Sequence, residues 1–269
     1  MKVVHIYHSG FYMELSQCAL LFDYFQGELP SVPADKPLYV FASHVHQDHF
    51  SFSVFTDERL RAHPQVTYLL SNDIKRKYNR NFFLKKGVTE EQYARIMFLK
   101  AGETVYVGGE NEAVGTGETG ESECQVQGGE TSQVGEMLHG IRVQTLNSTD
   151  AGVAFVVDAE GERIYHAGDL NWWSWEGETK EDELRMEQDF KREIGKLAGS
   201  RFTIACLPLD GRQGERFAWG FDWFLRHVET AYAYPMHYWE DENVVSRLFS
   251  LPCSEPYRDK IVKKDEIVL

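Results

Sequence analysis

Residues 41–50 read FASHVHQDHF, placing three histidines and one aspartate within six positions as His44-x-His46-x-Asp48-His49. Few local patterns limit a chain as strongly. Two histidines at i and i+2 on the end of a strand point to one side of it. The turn that follows can swing Asp48 and His49 towards a neighbouring point, so one short segment can serve two adjacent ions. Imidazole and carboxylate suit zinc, iron and manganese, and the absence of a nearby cysteine argues against a soft-metal or iron–sulfur site. A histidine standing alone, such as His63 or His227, reads as an ordinary surface or core residue. The whole string reads as a metal site.

The segments around it have the periodicity of strands. KVVHIYH, FYMEL, CALLFDY and PLYVFASH are short apolar runs at close spacing and predict a meander feeding one sheet, with the metal-rich string where a strand ends. SNDIKRKYNRNFF and TEEQYARIMF open with helix-start residues. ETVYVG, GIRVQTL, GVAFVVDAEGERIYHAGD and FTIACLPLD return to strand character, with AEGE as a hairpin turn. TKEDELRMEQDFKREIGKL spaces Leu184, Met186, Phe190, Ile194 and Leu197 along one helical face. Residues 108–136, rich in Gly and Glu and poor in apolar side chains, read as a flexible insertion in a single domain spanning residues 1–269. Strands before and after, with helices between them, predict two sheets covered by helices.

Together these motifs resemble those of the metallo-β-lactamase fold hydrolases, and the resemblance runs from Met1 to the region of His237. HVHQDH resembles the signature of that family. YHSGFYMEL and CALLFDY are similar to its opening strands, after which an aspartate supports a metal histidine from behind; Asp23 takes that place. IYHAGD is similar to its glycine-aspartate motif, so Asp169 is implied as the carboxylate that bridges two ions. YAYPMHYWED is similar to its late strand-end histidine, matched by His237. The resemblance implies an α+β fold, an αββα sandwich of two mixed sheets flanked by helices, with the site along one edge between the sheets. It implies His44, His46, Asp48, His49, Asp169 and His237 as ligands of one or two divalent ions, zinc first, with manganese or iron as alternatives.

The chain departs from that pattern at one position. Where most members carry another metal histidine, it reads LNSTDAGVAF, with Ser148 in the histidine's place and Asp150 two residues on. Three outcomes stay open: Asp150 replaces the histidine, Ser148 or water fills the gap, or only one ion binds tightly. His139 precedes a strand and is expected at its far end, away from the site.

Two cations bridged by Asp169 and a solvent oxygen, about 3.5–4 Å apart, would bring the pKa of that water towards neutrality and polarise a scissile carbonyl or phosphoryl oxygen. Asp48 and Asp169 are the candidate catalytic carboxylates, Asp48 holding both an ion and the water's proton. Candidate pocket residues are His8 at a strand end, and Trp172 and Trp173, with Trp175, in LNWWSWEGE, directly after Asp169, as an aromatic wall. Asp210 and Arg212 in LPLDGRQGERF join them, Arg212 offering a two-pronged donor for phosphate or carboxylate. The expectation is a metal-dependent hydrolase of a small ester, lactone, amide or phosphodiester, nearer to the cytoplasmic, lactonase-like branch than to antibiotic-degrading enzymes. A mononuclear iron oxygenase on the same fold and a non-catalytic metal- or ligand-binding protein are the alternatives.

With 28 Lys and Arg against 42 Asp and Glu, the formal net charge is -14, which disfavours a nucleic-acid partner. The basic stretch from Lys75 to Lys86, interleaved with aromatics, reads as a solvated helix face over core aromatics. A small-molecule substrate is the expected partner, and the oligomeric state stays open. No run approaches the ~20 apolar residues of a membrane span, and the N-terminus has no apolar signal region or cleavage site, so a cytoplasmic location is expected. The four cysteines, Cys18, Cys124, Cys206 and Cys253, are too scattered for a zinc–thiolate site or a disulfide framework.

Overall fold

Strands β1 (Lys2–Tyr7), β2 (Gly10–Glu14) and β3 (Ala19–Phe22) form an antiparallel meander. The pattern then changes, because β4 (Leu38–Ala42), β5 (Val66–Ser71) and β6 (Ile96–Leu99) each add parallel to the strand before. Parallel steps need crossovers, and the later ones carry the short helices Ser53–Thr56, Glu58–Ala62, Asn72–Lys77, Arg80–Lys85 and Glu90–Ala94. TEEQYARIMF therefore divides: a Thr89/Gln92 capping box starts the last of these helices, and Ile96 already opens β6. A computed structural model describes residues 1–108, 140–239, 241, 243–263 and 266–268. Nearly all of the Gly/Glu-rich segment, with Cys124 and His139, lies outside the described residues.

The second half of the chain builds the second sheet from β7 (Thr104–Val107), β8 (Ile141–Asn147), β9 (Val153–Ala159), β10 (Glu162–His166), β11 (Arg201–Pro208) and β12 (Glu229–Met236). Their order is β12-β11-β10-β9-β8-β7, with β10, β11 and β12 parallel and the rest antiparallel. The β9–β10 turn has Glu160 and Gly161 at φ 52° and 82°, the left-handed pair that a two-residue hairpin requires. β13 (Glu266–Val268) returns to pair antiparallel with β1, giving seven strands in the first sheet against six in the second.

Alternation along the strands explains the layering. In β3 and β4, Leu20, Phe22, Tyr39 and Phe41 face the second sheet and pack with Phe155, Val157 and Ile164. Ala19, Leu21, Leu38 and Val40 face the other way, onto Phe55, Leu60, Ile74 and Phe83 of the crossover helices. A strand buried on both faces reads as a continuous apolar run, as in PLYVFA. On the outer side of the second sheet, Tyr165 and Phe202 meet Phe224 of helix Trp219–His227. Phe190 and Ile194 of helix Lys180–Gly195 are buried in the same core, while Leu184, expected on that apolar face, is 53% exposed in the helix's early turns.

At one edge of the sandwich the sheets are stitched by backbone contacts. The N–H of Val153 donates to Ser43 O at 2.9 Å, and the N–H of His237 donates to His8 O at 3.1 Å. The first requires glycine at position 152, where φ is 66° and a Cβ would stand 2.0 Å from Ser43 O. His8, Asp23, His44, Asp169, Asp210 and His237 all lie just past the C-terminal ends of strands at this edge. Parallel strands deliver such ends together, which is why open α/β sheets carry their sites there.

Candidate metal centre

Two tetrads of possible ligand atoms meet at that edge. His8, Asp48, His49 and His237 form one, and His44, His46, Asp150 and Asp169 form the other. Asp169 lies between them: Oδ2 is 3.3 Å from His44 Nε2, while Oδ1 is 3.1 Å from His49 Nε2 and 3.3 Å from His237 Nε2. Within the tetrads, His44 Nε2 and His46 Nδ1 are 2.9 Å apart, His46 Nδ1 and Asp150 Oδ2 3.7 Å, and His8 Nε2 and Asp48 Oδ2 3.5 Å. Donors about 2.0–2.2 Å from a shared ion stand roughly 3–3.5 Å from one another, so most of these spacings match the edges of coordination shells.

The donors also fit cations by their orphaned atoms. His8 Nδ1 and Nε2, His49 Nε2 and Asp169 Oδ1 are buried and have no hydrogen-bond partner among the described residues. Leaving such groups unsatisfied costs about 1–3 kcal/mol each, and a cation at the convergence point removes that cost.

Carboxylates behind the ring set orient the imidazoles. Asp23 accepts from the N–H and the hydroxyl of Ser43 at 2.7 and 2.6 Å, and from His49 Nδ1–H at 2.7 Å. Since the Ser43 hydroxyl donates to Asp23, it accepts from His44 Nδ1–H at 3.0 Å. One buried carboxylate thereby fixes the ring orientation of both His44 and His49, with Nε2 of each facing the site. Asp210 does the same for His237, accepting its Nδ1–H at 3.1 Å. His166, also buried, donates from Nε2 to Ser9 O at 2.9 Å and accepts the Gly168 N–H at Nδ1. It thus ties the turn after β1 to the loop carrying Asp169.

Backbone strain concentrates here. Five non-glycine residues among the described ones have positive φ; His8, Asp23, His237 and Trp239 belong to this region, and the fifth is the hairpin residue Glu160. Each costs about 1–3 kcal/mol and persists where surrounding structure dictates it.

Electrostatics follow from the crowding. Burial pushes the Asp169 carboxyl up, but His49, His237 and the bond to His44 outweigh it and hold the group well below the usual carboxylate range. Burial pushes His49 down, but Asp169 and Asp23 reverse this and raise it well above its ordinary value. His8 is lowered to about 4, first by burial and then by His237 and His49, against the raising effect of Asp48. Its ring is therefore neutral at pH 7 and has a lone pair to offer.

A cleft of about 250 Å³ opens over the second tetrad. It is lined by His46, Asp48 and Asp150 together with Trp173, Trp175, Met186 and Arg212. Trp173 and Trp175 stack at 5.8 Å with 3° between their planes, and Trp173 Nε1–H donates to Asp169 O at 2.9 Å. Arg212 is held by Asp210, and its guanidinium lies 5.9 Å from the Trp175 ring centroid.

No family model matches this sequence, and no curated protein matches it. Solved structures do. Igni18, a metallo hydrolase from Ignicoccus hospitalis, superposes with a TM-score of 0.57 at 13% identity, over 100% of this chain and 98% of that one. The metallo-β-lactamase fold protein YhfI from Bacillus subtilis superposes at 0.50 and 10% identity, over 97% and 94%. This chain has the metallo-β-lactamase fold. CmlA, a diiron β-hydroxylase from Streptomyces venezuelae, also shares it, at 0.50 and 12% identity over 88% of this chain and 44% of that one.

Within the metallo-β-lactamase fold, the structure brings His44, His46, Asp48, His49, Asp169 and His237 together and adds Asp150, whose carboxylate faces His46. Ser148 is buried and accepts the Asp150 N–H at 3.1 Å, bracing the loop instead of facing an ion. His8, expected to line the pocket, stands among the ligand atoms. Two other pocket expectations are corrected. Trp172 packs against Trp219, Trp223 and Phe190, because neighbouring side chains in an extended segment point apart. Asp210 is buried behind His237, away from the cleft. Sequence reasoning did not single out Ser43 or His166; their closeness in sequence to His44 and Asp169 is the only signal they carry. His63 and His227 each bond a backbone carbonyl, Pro33 O and Trp223 O.

Proposed function

We propose that this protein is a metal-dependent hydrolase acting on a small ester, lactone, amide or phosphodiester. The observation that supports it most is the convergence of His49 Nε2, His237 Nε2 and His44 Nε2 on the two oxygens of one carboxylate, Asp169. Two divalent cations bound there, zinc first, would lower the pKa of a water between them and polarise the scissile carbonyl or phosphoryl oxygen.

The chain's own groups do the rest. Asp48, held ionised by the His8 ring 3.5 Å away and by the nearby His49 despite partial burial, accepts the proton of the attacking water. Asp23 and Asp210 hold the imidazole tautomers. Trp173, Trp175 and Met186 line the cleft and exclude bulk water from it, and Arg212 presents its guanidinium to an anionic group of the substrate.

One feature favours a second reading, iron-dependent oxygen chemistry. Asp150 supplies oxygen where the family pattern has nitrogen, leaving a two-histidine, carboxylate set of the kind that suits non-haem iron. Elemental analysis of protein purified without added metal or chelator separates the two. About two zinc or manganese ions per chain, lost in Asp169→Ala, together with hydrolysis of a panel of lactones, esters and phosphodiesters, is the expected result. Iron with oxygen uptake would shift the assignment to the second reading, and a metal-free protein would overturn both.

A further inference from the structure

His8 stands apart from the ligands implied by the sequence resemblance, and its setting is unlike that of a core histidine. Its residue is 1% exposed, and neither ring nitrogen has a hydrogen-bond partner among the described residues. The ring centroid lies 4.3 Å from that of His237, and Trp239 packs at 4.2 Å. The backbone is left-handed, φ 53°, which is strained for histidine. Two bonds hold it there: the His237 N–H and the His5 Nε2–H both donate to His8 O, at 3.1 and 3.0 Å. The fold thus spends strain and desolvation to aim an unpaired imidazole at Asp48, His49 and His237.

We infer that His8 is a ligand in the buried member of two cation sites, and that it makes the sites unequal: one closed and tight, the other open, exchangeable and facing the substrate. The inference rests on the metal-centre reading above. With Asp169 shared between them, the buried site has five protein donors, Asp169 with His8, Asp48, His49 and His237, and the outer site four, Asp169 with His44, His46 and Asp150. Each further protein donor leaves less room for solvent on an ion, and His8 is the donor that makes the buried site the fuller one. Exposure differs in degree between the two. The side chains of His46 and Asp150 are each 50% exposed, with His44 buried beside them, while those of His8 and His49 are fully buried, that of His237 nearly so, and that of Asp48 only partly exposed. Removing an ion from the buried site strands three imidazoles away from water, with only Asp48 able to hydrate; removing one from the outer site lets His46 and Asp150 hydrate.

The test is titration of ion-free protein with Zn²⁺ by calorimetry, and with Co²⁺ by visible absorption. The wild-type chain is expected to show two classes of site with Kd values at least ~100-fold apart. Glycine adopts positive φ without cost, so His8→Gly removes the imidazole while keeping the backbone. It should weaken the tight site at least ~10-fold and alter the Co²⁺ spectrum, and added imidazole should restore both. Asp150→Ala should remove only the weak site. His8→Asn, which also tolerates this backbone, is the second variant, and melting curves of the ion-free forms identify the folded ones. Equal sites in the wild type, or an unchanged tight site in a folded His8 variant, would overturn the inference and leave the metal centre standing. Failure of the wild type to bind either ion would overturn the centre and the inference together.

Discussion

Asp23 Oδ2 accepts the Nδ1–H of His49 at 2.7 Å, with both side chains fully buried. The same carboxylate holds Ser43, and through it His44, so a residue outside both tetrads sets the tautomer of a ligand in each. Asp23→Asn would offer an amide N–H where two donors need an acceptor. Metal affinity is expected to fall about 10–100-fold, and ion-free stability by about 1–3 kcal/mol. Calorimetric titration and thermal melting read the two effects separately.

Asp150 decides whether the outer ion is held. Asp150→Ala should lower metal content from about two ions per chain to about one, as measured by elemental analysis after gel filtration. Asp150→His, which keeps a donor in the loop braced by Ser148, should retain more of the second ion than alanine does. Equal occupancy in all three proteins would remove Asp150 from the ligand set.

Arg212 tests the substrate side. Its guanidinium lines the cleft while Asp210 fixes its position. Once a hydrolysed substrate is in hand, Arg212→Ala is expected to raise KM for an anionic member of the panel by roughly 10-fold or more, in line with loss of a charge-assisted bond worth about 1.5–3 kcal/mol. KM for a neutral analogue should change little. A uniform loss across both would assign Arg212 to holding Asp210 and His237.

Gly152 and Gly161 make a matched pair for stability. Both have positive φ, but a Cβ at Gly152 would meet Ser43 O at 2.0 Å and His44 Cβ at 2.5 Å, while at Gly161 nothing lies within 4 Å. Gly161→Ala should cost about 1–2 kcal/mol, the strain of the left-handed backbone. Gly152→Ala should cost on the order of 3 kcal/mol or more and also weaken metal binding, since the displaced backbone carries His44. Denaturant melts of the two variants make the comparison.

Asp158 gives a pH signature away from the site. Burial pushes its carboxyl up, but bonds from Arg163 and Arg142 outweigh this and hold it below its ordinary 3.8. A depressed folded value means the stabilisation is complete above the unfolded pKa and is lost as pH falls through the folded one. All three side chains are partly exposed, so the contribution is below about 1 kcal/mol. Asp158→Asn should lower Tm slightly at pH 7, and the difference should close in acid as the pH falls below 3.8 and through the depressed folded value.

Local pattern carried much of this protein. HVHQDH is legible because i and i+2 on a strand end share a side whatever surrounds them, and the continuous apolar runs ALLF and LYVFA predict strands buried on both faces. The helical face of 180–197 holds for Phe190, Ile194 and Leu197 and fails at Leu184, which lies in the exposed early turns. Other assignments depended on loop backbone that periodicity does not describe. Ser148 and Asp150 are two residues apart, yet only the turn after β8 selects which faces His46. Trp172 and Trp173 are neighbours on opposite sides of one segment, and Asp210 is drawn behind His237 by a hydrogen bond across 27 residues.

By itself, then, the sequence determined the ligand chemistry of one short segment and the apolar layers of two sheets, because both follow from side-chain direction along a few residues. Tertiary structure alone decided that the ends of β1, β4, β10 and β12 share an edge, that Asp169 stands between two groups of imidazoles, and that His8 joins one of them. Those outcomes depend on how two sheets pack and on strained backbone at His8, Asp23 and His237. Such strain is sustained by contacts from distant parts of the chain and leaves no local mark on the sequence.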